Sequence, residues 1–182
     1  MNRVNFQTAL RMIYPPRCLH CGKVVESDFG LCGNCWAQMP FASGVTCNLC
    51  GSSLMGSPTG DTAICDACIL TPRPWQNGRA AMIYQGTARK LVLGLKHSDR
   101  TDIAGPAGRW IAQACHDILT PETVVMPVPL HWFRQMRRKY NQACLLASAL
   151  AKHTNLTYMP NALRRPAHTR ALEKVDFDER YK

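Results

Sequence analysis

Apolar positions along this chain keep two different rhythms, and the change falls close to residue 80. Beyond it, strand-like and helix-like patterns alternate. "AAMIYQG" (80–86) is a compact apolar run and predicts a strand. "TARKLVLGLKHS" (87–98) sets Leu91 and Leu95 four apart, which predicts a helix with both turned inward. "PAGRWIAQACHDIL" (106–119) predicts a second helix with Pro106 in its first turn. "VVMPV" (124–128) predicts a buried strand. "NQACLLASALAKH" (141–153) predicts a third helix, with Leu146 and Leu150 on one face and Ala143 and Ala147 beside them. "LTYM" (156–159) and "NALRR" (161–165) are further strand candidates. Strands alternating with helices predict an α/β domain around a mainly parallel sheet. At the other end, Val4, Phe6, Leu10 and Ile13 predict a short amphipathic helix stopped by Pro15 and Pro16.

Before residue 70 the periodicity gives way to cysteine. Eight of the ten cysteines form four Cys-x-x-Cys pairs, "CLHC", "CGNC", "CNLC" and "CDAC". The amino terminus lacks the unbroken apolar core of a signal peptide, and no apolar run approaches the ~18 residues that span a membrane. The expectation is a cytoplasmic protein without membrane insertion. Disulfides are kept reduced there, so the pairs read as metal ligands. Cys18/Cys21 and Cys47/Cys50 are each followed by glycine, and Cys32/Cys35 and Cys65/Cys68 follow after 10 and 14 residues. This repeat predicts two structural zinc ions in two tetrahedral four-thiolate sites, a small double zinc ribbon. The order favours sites in series, Cys18/Cys21/Cys32/Cys35 and Cys47/Cys50/Cys65/Cys68, with an interleaved cross-brace as the other arrangement. His20 is a bystander or a substitute ligand, and Cys115 and Cys144 read as small apolar fillers on helix faces. The expected organisation is an N-terminal helix (1–16), a double ribbon (17–70), a linker (71–79, "TPRPWQNGR") and an α/β domain (80–182).

Charge sharpens the picture in the second half. The net charge is +10, of which residues 81–182 carry +8, with 16 Lys/Arg against 8 Asp/Glu. That excess points to a polyanionic partner, nucleic acid or a phosphorylated small molecule. Its densest part is Arg134, Arg137, Arg138 and Lys139, between the strand end Pro127-Val128-Pro129 and Asn141, a candidate helix cap. Strand, basic loop and helix N-terminus together form a pyrophosphate cradle in one reading. In the other they are a solvated basic loop or a nucleic-acid patch.

"VVMPVPLHWFRQMRRKYNQACLLASALAK" closely resembles the ComF/GntX family, in which a Pro-Val-Pro-Leu strand end leads through an Arg-rich loop to an aromatic-Asn-Gln helix. The cysteine segment resembles that family's double zinc ribbon. "MIYQGTARKLVLGLKHSDRTDIA" and "LRRPAHTRALEKVDFDER" resemble two further stretches, so the likeness runs along essentially the whole chain. It implies that the second domain has a type I phosphoribosyltransferase fold, and some members serve DNA uptake in competent bacteria. It also implies that Arg134, Arg137, Arg138 and Lys139, with N–H groups near Asn141, hold the pyrophosphate of phosphoribosyl pyrophosphate, with Mg2+. Lys96 is a further candidate at the matched Leu-Lys position. Arg164, Arg165 and Arg170 either reach the same anion or stay on the surface.

Two departures qualify that expectation. The family usually has glycine where this chain has Lys139, and a lysine there is expected to resist a positive φ. The Asp-Asp and Thr-Thr-Gly loop that grips ribose 5′-phosphate has no counterpart before "DERYK" ends the sequence. The expectation is therefore a fragment or a truncated gene product, inactive as a transferase, with the last strands and helix of the domain missing. The competing class is a zinc-ribbon adaptor that binds single-stranded DNA or proteins of the DNA-uptake machinery. Trp132, Phe133 and Tyr140 are its candidate base-stacking rings, with core packing as the competing role, chiefly for Phe133 and Tyr140.

Overall fold

The computed structural model describes residues 14–26, 30–56 and 63–169. The predicted helix over 1–16 lies almost wholly outside them, as does Arg170. Among the described residues the order is α1 (Gly33–Ala37), α2 (Asp66–Leu70), α3 (Gly86–His97), a 3-10 turn (Thr101–Ile103), α4 (Ala104–Ala114), β1 (Val124–Val125), α5 (Trp132–Arg138), α6 (Gln142–Thr154) and β2 (Thr157–Tyr158). None of these helices is long and apolar enough to cross a membrane.

The cysteine segment folds the same way twice. In each half a Cys-x-x-Cys-Gly turn is closed by the glycine N–H donating to the first cysteine carbonyl, Gly22 to Cys18 at 2.9 Å and Gly51 to Cys47 at 2.8 Å. Both glycines sit at positive φ, +74° and +73°, a conformation most side chains resist. A one-pair antiparallel bridge flanks each turn, Arg17 with Val24 and Thr46 with Ser53. The second cysteine pair of each half opens a short helix, with Cys32 and Cys65 at the N-cap positions of α1 and α2.

Apolar residues at helical spacing account for much of the rest. Leu91 and Leu95 are buried on α3, as the spacing predicts, and they meet Ile103, Ala107 and Trp110 from the next turn and α4. Cys18, Leu19, Leu31, Cys35 and Met39 of the first ribbon belong to the same core. A smaller cluster joins Val125 of β1 to Ala147 and Ala151 of α6, with Leu156 and Tyr158 packed against it. β1 and β2 pair in parallel, Val124 with Thr157 and Val125 with Tyr158. The fold class is therefore α/β behind a small double ribbon, with a short parallel sheet.

Three predicted elements differ. Residues 80–86 do not enter that sheet: Met82 bridges Phe41, and Ile83 N–H donates to Pro40. This segment pairs with the chain leaving the first ribbon, so its strand character goes to the join between the two parts. Residues 161–165 form no strand. The basic loop is instead helix α5, because His131 caps it: its Nδ1 accepts from Phe133 N–H at 3.3 Å.

α4 and α6 cross in close contact. A Cβ on Gly108 would lie 2.5 Å from Ala149 Cβ and 2.8 Å from its carbonyl carbon, so the crossing requires glycine. Gly108→Val is expected to lower the urea midpoint by an amount equivalent to about 1–3 kcal/mol. Gly105→Val, where a Cβ would meet open space, should cost much less.

Candidate functional site: two four-thiolate centres and a basic helix

The cysteines converge in two groups, Cys18/Cys21/Cys32/Cys35 and Cys47/Cys50/Cys65/Cys68, and within each all four Sγ atoms lie within 4.8 Å of one another. The arrangement is in series, not a cross-brace, because each knuckle faces the helix that comes next in the chain. Four sulfurs held at ~2.3 Å around a tetrahedral zinc are about 3.8 Å apart. Cys21 and Cys32 are 3.7 Å apart, and so are Cys50 and Cys65. Both sets therefore fit a structural zinc ion, with no position left open for chemistry.

At Cys18 and Cys47 the surroundings favour the thiolate form that zinc binds, whereas burial and the neighbouring cysteines push Cys35 and Cys68 up, to about 12 and about 11. Burial pushes the Cys18 thiol up, but N–H groups of Cys21, Cys32 and His20 outweigh it and leave a pKa of about 6. At Cys47 burial is likewise outweighed by the N–H groups of Cys65, Leu49 and Cys50, again giving about 6. Groups beyond the ligands differ between the sites. His20 stays outside the first set, and its Nδ1 lies 3.4 Å from Cys35 Sγ. Ser52 Oγ is 3.1 Å from Cys50 Sγ at the second. Such partners orient and tune metal ligands. His20 is thus a bystander to coordination rather than a ligand, though one that touches a ligand. Its position inside the first knuckle, between two cysteines of one metal site, was the available signal.

The second ribbon is strapped to the segment between it and α3. Trp75 Nε1 donates to Leu49 O at 2.6 Å, and Arg79 Nη1 to Asn48 O at 3.1 Å. The Arg79 guanidinium also grips Asp117 at 2.5 Å and holds that carboxyl below its usual range.

Two members of the basic cluster have partners within the protein. Arg134 donates to the carbonyl of Thr169, and Lys139 pairs with Asp99 at 3.1 Å. Arg137 and Arg138, in the last turn of α5, have no ion pair among the described residues. Lys139 takes the left-handed conformation after all, at φ 64°, as the residue that ends α5. Its neighbours fix it there. Tyr140 Oη donates to Leu95 O at 2.8 Å and Gln142 Nε2 to Lys96 O at 3.4 Å, so the end of α3 receives donors for its open carbonyls. Asn141 is engaged on both sides: Oδ1 accepts from Ala143 N–H at 2.9 Å, and Nδ2 donates to Val128 O at 3.0 Å. It caps α6 as the sequence predicts. Lys96 sits half-buried in the last turn of α3, Arg164 is exposed, and Arg165 bonds Thr169 Oγ1. Of the three candidate stacking rings, Tyr140 packs against the core, while Trp132 and Phe133 are 64% and 55% exposed. Of the two rings for which core packing was the competing role, Tyr140 has it and Phe133 does not.

Metal analysis should find two zinc ions per chain. Cys32→Ser and Cys50→Ser should each release one. Only Cys32→Ser should also loosen the α3–α4 core, seen as a lower unfolding midpoint, because Leu19 and Leu31 share that core. His20→Ala should weaken zinc at the first site by about 10- to 100-fold in a chelator competition and leave the second unchanged.

Residues 9–69 match the double zinc ribbon domain family. Across 160 residues the chain is 30% identical to Competence protein F of Haemophilus influenzae, covering 84% of this chain and 67% of that protein. It is 28% identical to the DNA utilization protein YhgH of Escherichia coli K12 over 75% of this chain and 68% of that one. It is also 28% identical to its Salmonella typhi counterpart, over 67% and 60%. The chain thus spans about two thirds of the length of these relatives. No solved structure matches it. Two four-thiolate ribbons inside the matched span, joined to a likeness that continues far past them, mean that the chain belongs to the ComF family.

Proposed function

We propose that this chain works in DNA uptake or utilisation by holding single-stranded DNA on α5. The relatives' names supply the process. The observation that carries the binding mode is α5 itself. None of its residues is buried; it exposes Trp132, Phe133 and Met136, and it ends in Arg137 and Arg138. Trp132 and Phe133 stand edge to face, with centroids 5.8 Å apart. Cations that track a phosphate backbone, interleaved with open aromatic faces, are what sequence-tolerant binding of single strands requires. The zinc ions act through the fold.

A second reading is supported by Lys139. Its φ of 64° lies in the left-handed region that glycine adopts most readily, and glycine is what the family usually has at this position. Arg137 and Arg138, beside that turn, would then hold the pyrophosphate of phosphoribosyl pyrophosphate with Mg2+, and Arg134, Lys139, Asn141 and Lys96 would shape the turn.

Two measurements separate the readings. Under the first, log K for a single strand falls steeply with log salt, and Arg137→Ala with Arg138→Ala makes the slope shallower by about 1.4, two contacts at ~0.7 each. An unchanged slope sinks the α5 assignment. Under the second, pyrophosphate raises the thermal midpoint more than sulfate at equal ionic strength, and the double variant removes the difference. Equal protection by the two anions leaves only an unspecific basic surface.

A further inference from the structure

Away from α5, a cleft of about 660 Å3 opens between the first ribbon, the chain leaving it and the end of α4. That is the size range of small-ligand sites. One wall is aromatic. Trp36, Phe41 and Trp110 form a cluster with centroids 4.8, 6.4 and 5.7 Å apart, two of the three contacts being edge-on. Trp110 is buried at 7% exposure, yet Trp36 keeps 45% of its surface open. Residue 36 is nonetheless firmly held. It comes directly after zinc ligand Cys35, its backbone N–H donates to Cys32 O at 2.8 Å, and its carbonyl accepts from Met39 N–H at 3.0 Å.

The rest of the lining includes polar groups, Arg79, Arg109, Gln113, His116 and Asp117, and is not anionic. Asp117 borders the cleft, but Arg79 neutralises it through contacts of 2.5–3.2 Å from Nε and Nη2. Gln113 adds an amide, which both donates and accepts. His116 Nδ1 lies 2.9 Å from the Gln113 backbone carbonyl, which can only accept, so Nδ1 donates there. A well-anchored, half-open indole sharing one cleft with mixed donors and acceptors suits a flat heterocycle with a polar edge.

We propose that this cleft binds a nucleobase, stacked on Trp36 with its edge toward Gln113, His116 and Asp117. The base comes from a single strand or from a free nucleotide. Only the first source rests on the DNA reading above, and the cleft is separate from the α5 face.

The test uses the full chain with three probes: a labelled oligothymidylate, an abasic strand of equal length, and thymidine 5′-monophosphate. Trp36→Ala is expected to weaken oligothymidylate binding about 5- to 100-fold and to leave the abasic strand unchanged. Trp36→Leu keeps an apolar contact with Phe41 but removes the stacking face, and it gives the same answer should the alanine variant not fold. Two zinc ions per chain certify each variant. If a folded variant binds both strands as the parent does, the cleft assignment is overturned while the DNA reading stands. If the parent binds no strand, the DNA reading fails, and the monophosphate decides the cleft. A chemical-shift change at the Trp36 indole N–H upholds a free-nucleotide site, and no change there overturns it.

Discussion

Closure of the first four-thiolate site is the constraint on which the remaining structure leans. Cys18 and Cys35 are themselves part of the main core, and the loop they close carries Leu19 and Leu31 into contact with α3 and α4. The α/β part has little else to organise it. Each strand of its sheet is two residues long, and its second apolar cluster is small. Binding free energy at a structural zinc site is folding free energy, so metal at this site supports helices well outside the ribbon. The second site stands differently, since none of its cysteines enters that core. It is held to the domain by hydrogen bonds from Trp75, Gly78 and Arg79 to the knuckle carbonyls. Two sites with one sequence pattern thus have unequal mechanical roles.

That pattern was the most legible feature of the chain. A Cys-x-x-Cys-Gly turn is a local object: its glycine φ, its closing hydrogen bond and its two aimed thiols all arise within five residues. The capped helix behind Asn141 was equally legible, because capping needs only the next two residues. What failed were claims about partners. "AAMIYQG" has the texture of a strand, but texture does not say which strand receives it. The receiving chain lies at Phe41, about forty residues upstream at the exit of the first ribbon. The helical state of 132–138 depended on His131 accepting from Phe133, and histidine is a rare enough cap for the run to read as a loop.

Lys139 shows a similar limit. Residue type argued against a left-handed conformation, which costs a non-glycine residue something like ~1 kcal/mol or more. What offsets that cost is tertiary: an ion pair to Asp99, itself at φ 51°, and the anchoring of Tyr140 and Gln142 on the end of α3. Two residues in sparsely populated backbone regions hold each other across the turns that end α3 and α5. Such mutual support is invisible to any rule that reads one position at a time.

The distribution of cations obeys the same division between local and tertiary roles. Arg79, Arg100 and Lys139 are each tied to a carboxylate that lies across a turn or across the ribbon boundary. Arg100 also donates to Leu19 O, drawing the first knuckle onto the α3–α4 turn. These charges hold the parts of the fold together and contribute little long-range field, since each is largely neutralised at contact. The field outside the protein comes instead from cations without an ion-pair partner among the described residues, Arg137 and Arg138 included. They sit on the helix that also leaves Trp132, Phe133 and Met136 in solvent. Exposed aromatic surface is costly in water, and neighbouring guanidinium groups repel one another. An anion carrying flat apolar faces relieves both costs at once. A bare phosphate relieves only the second, and on that physical ground a single strand suits α5 better than pyrophosphate does.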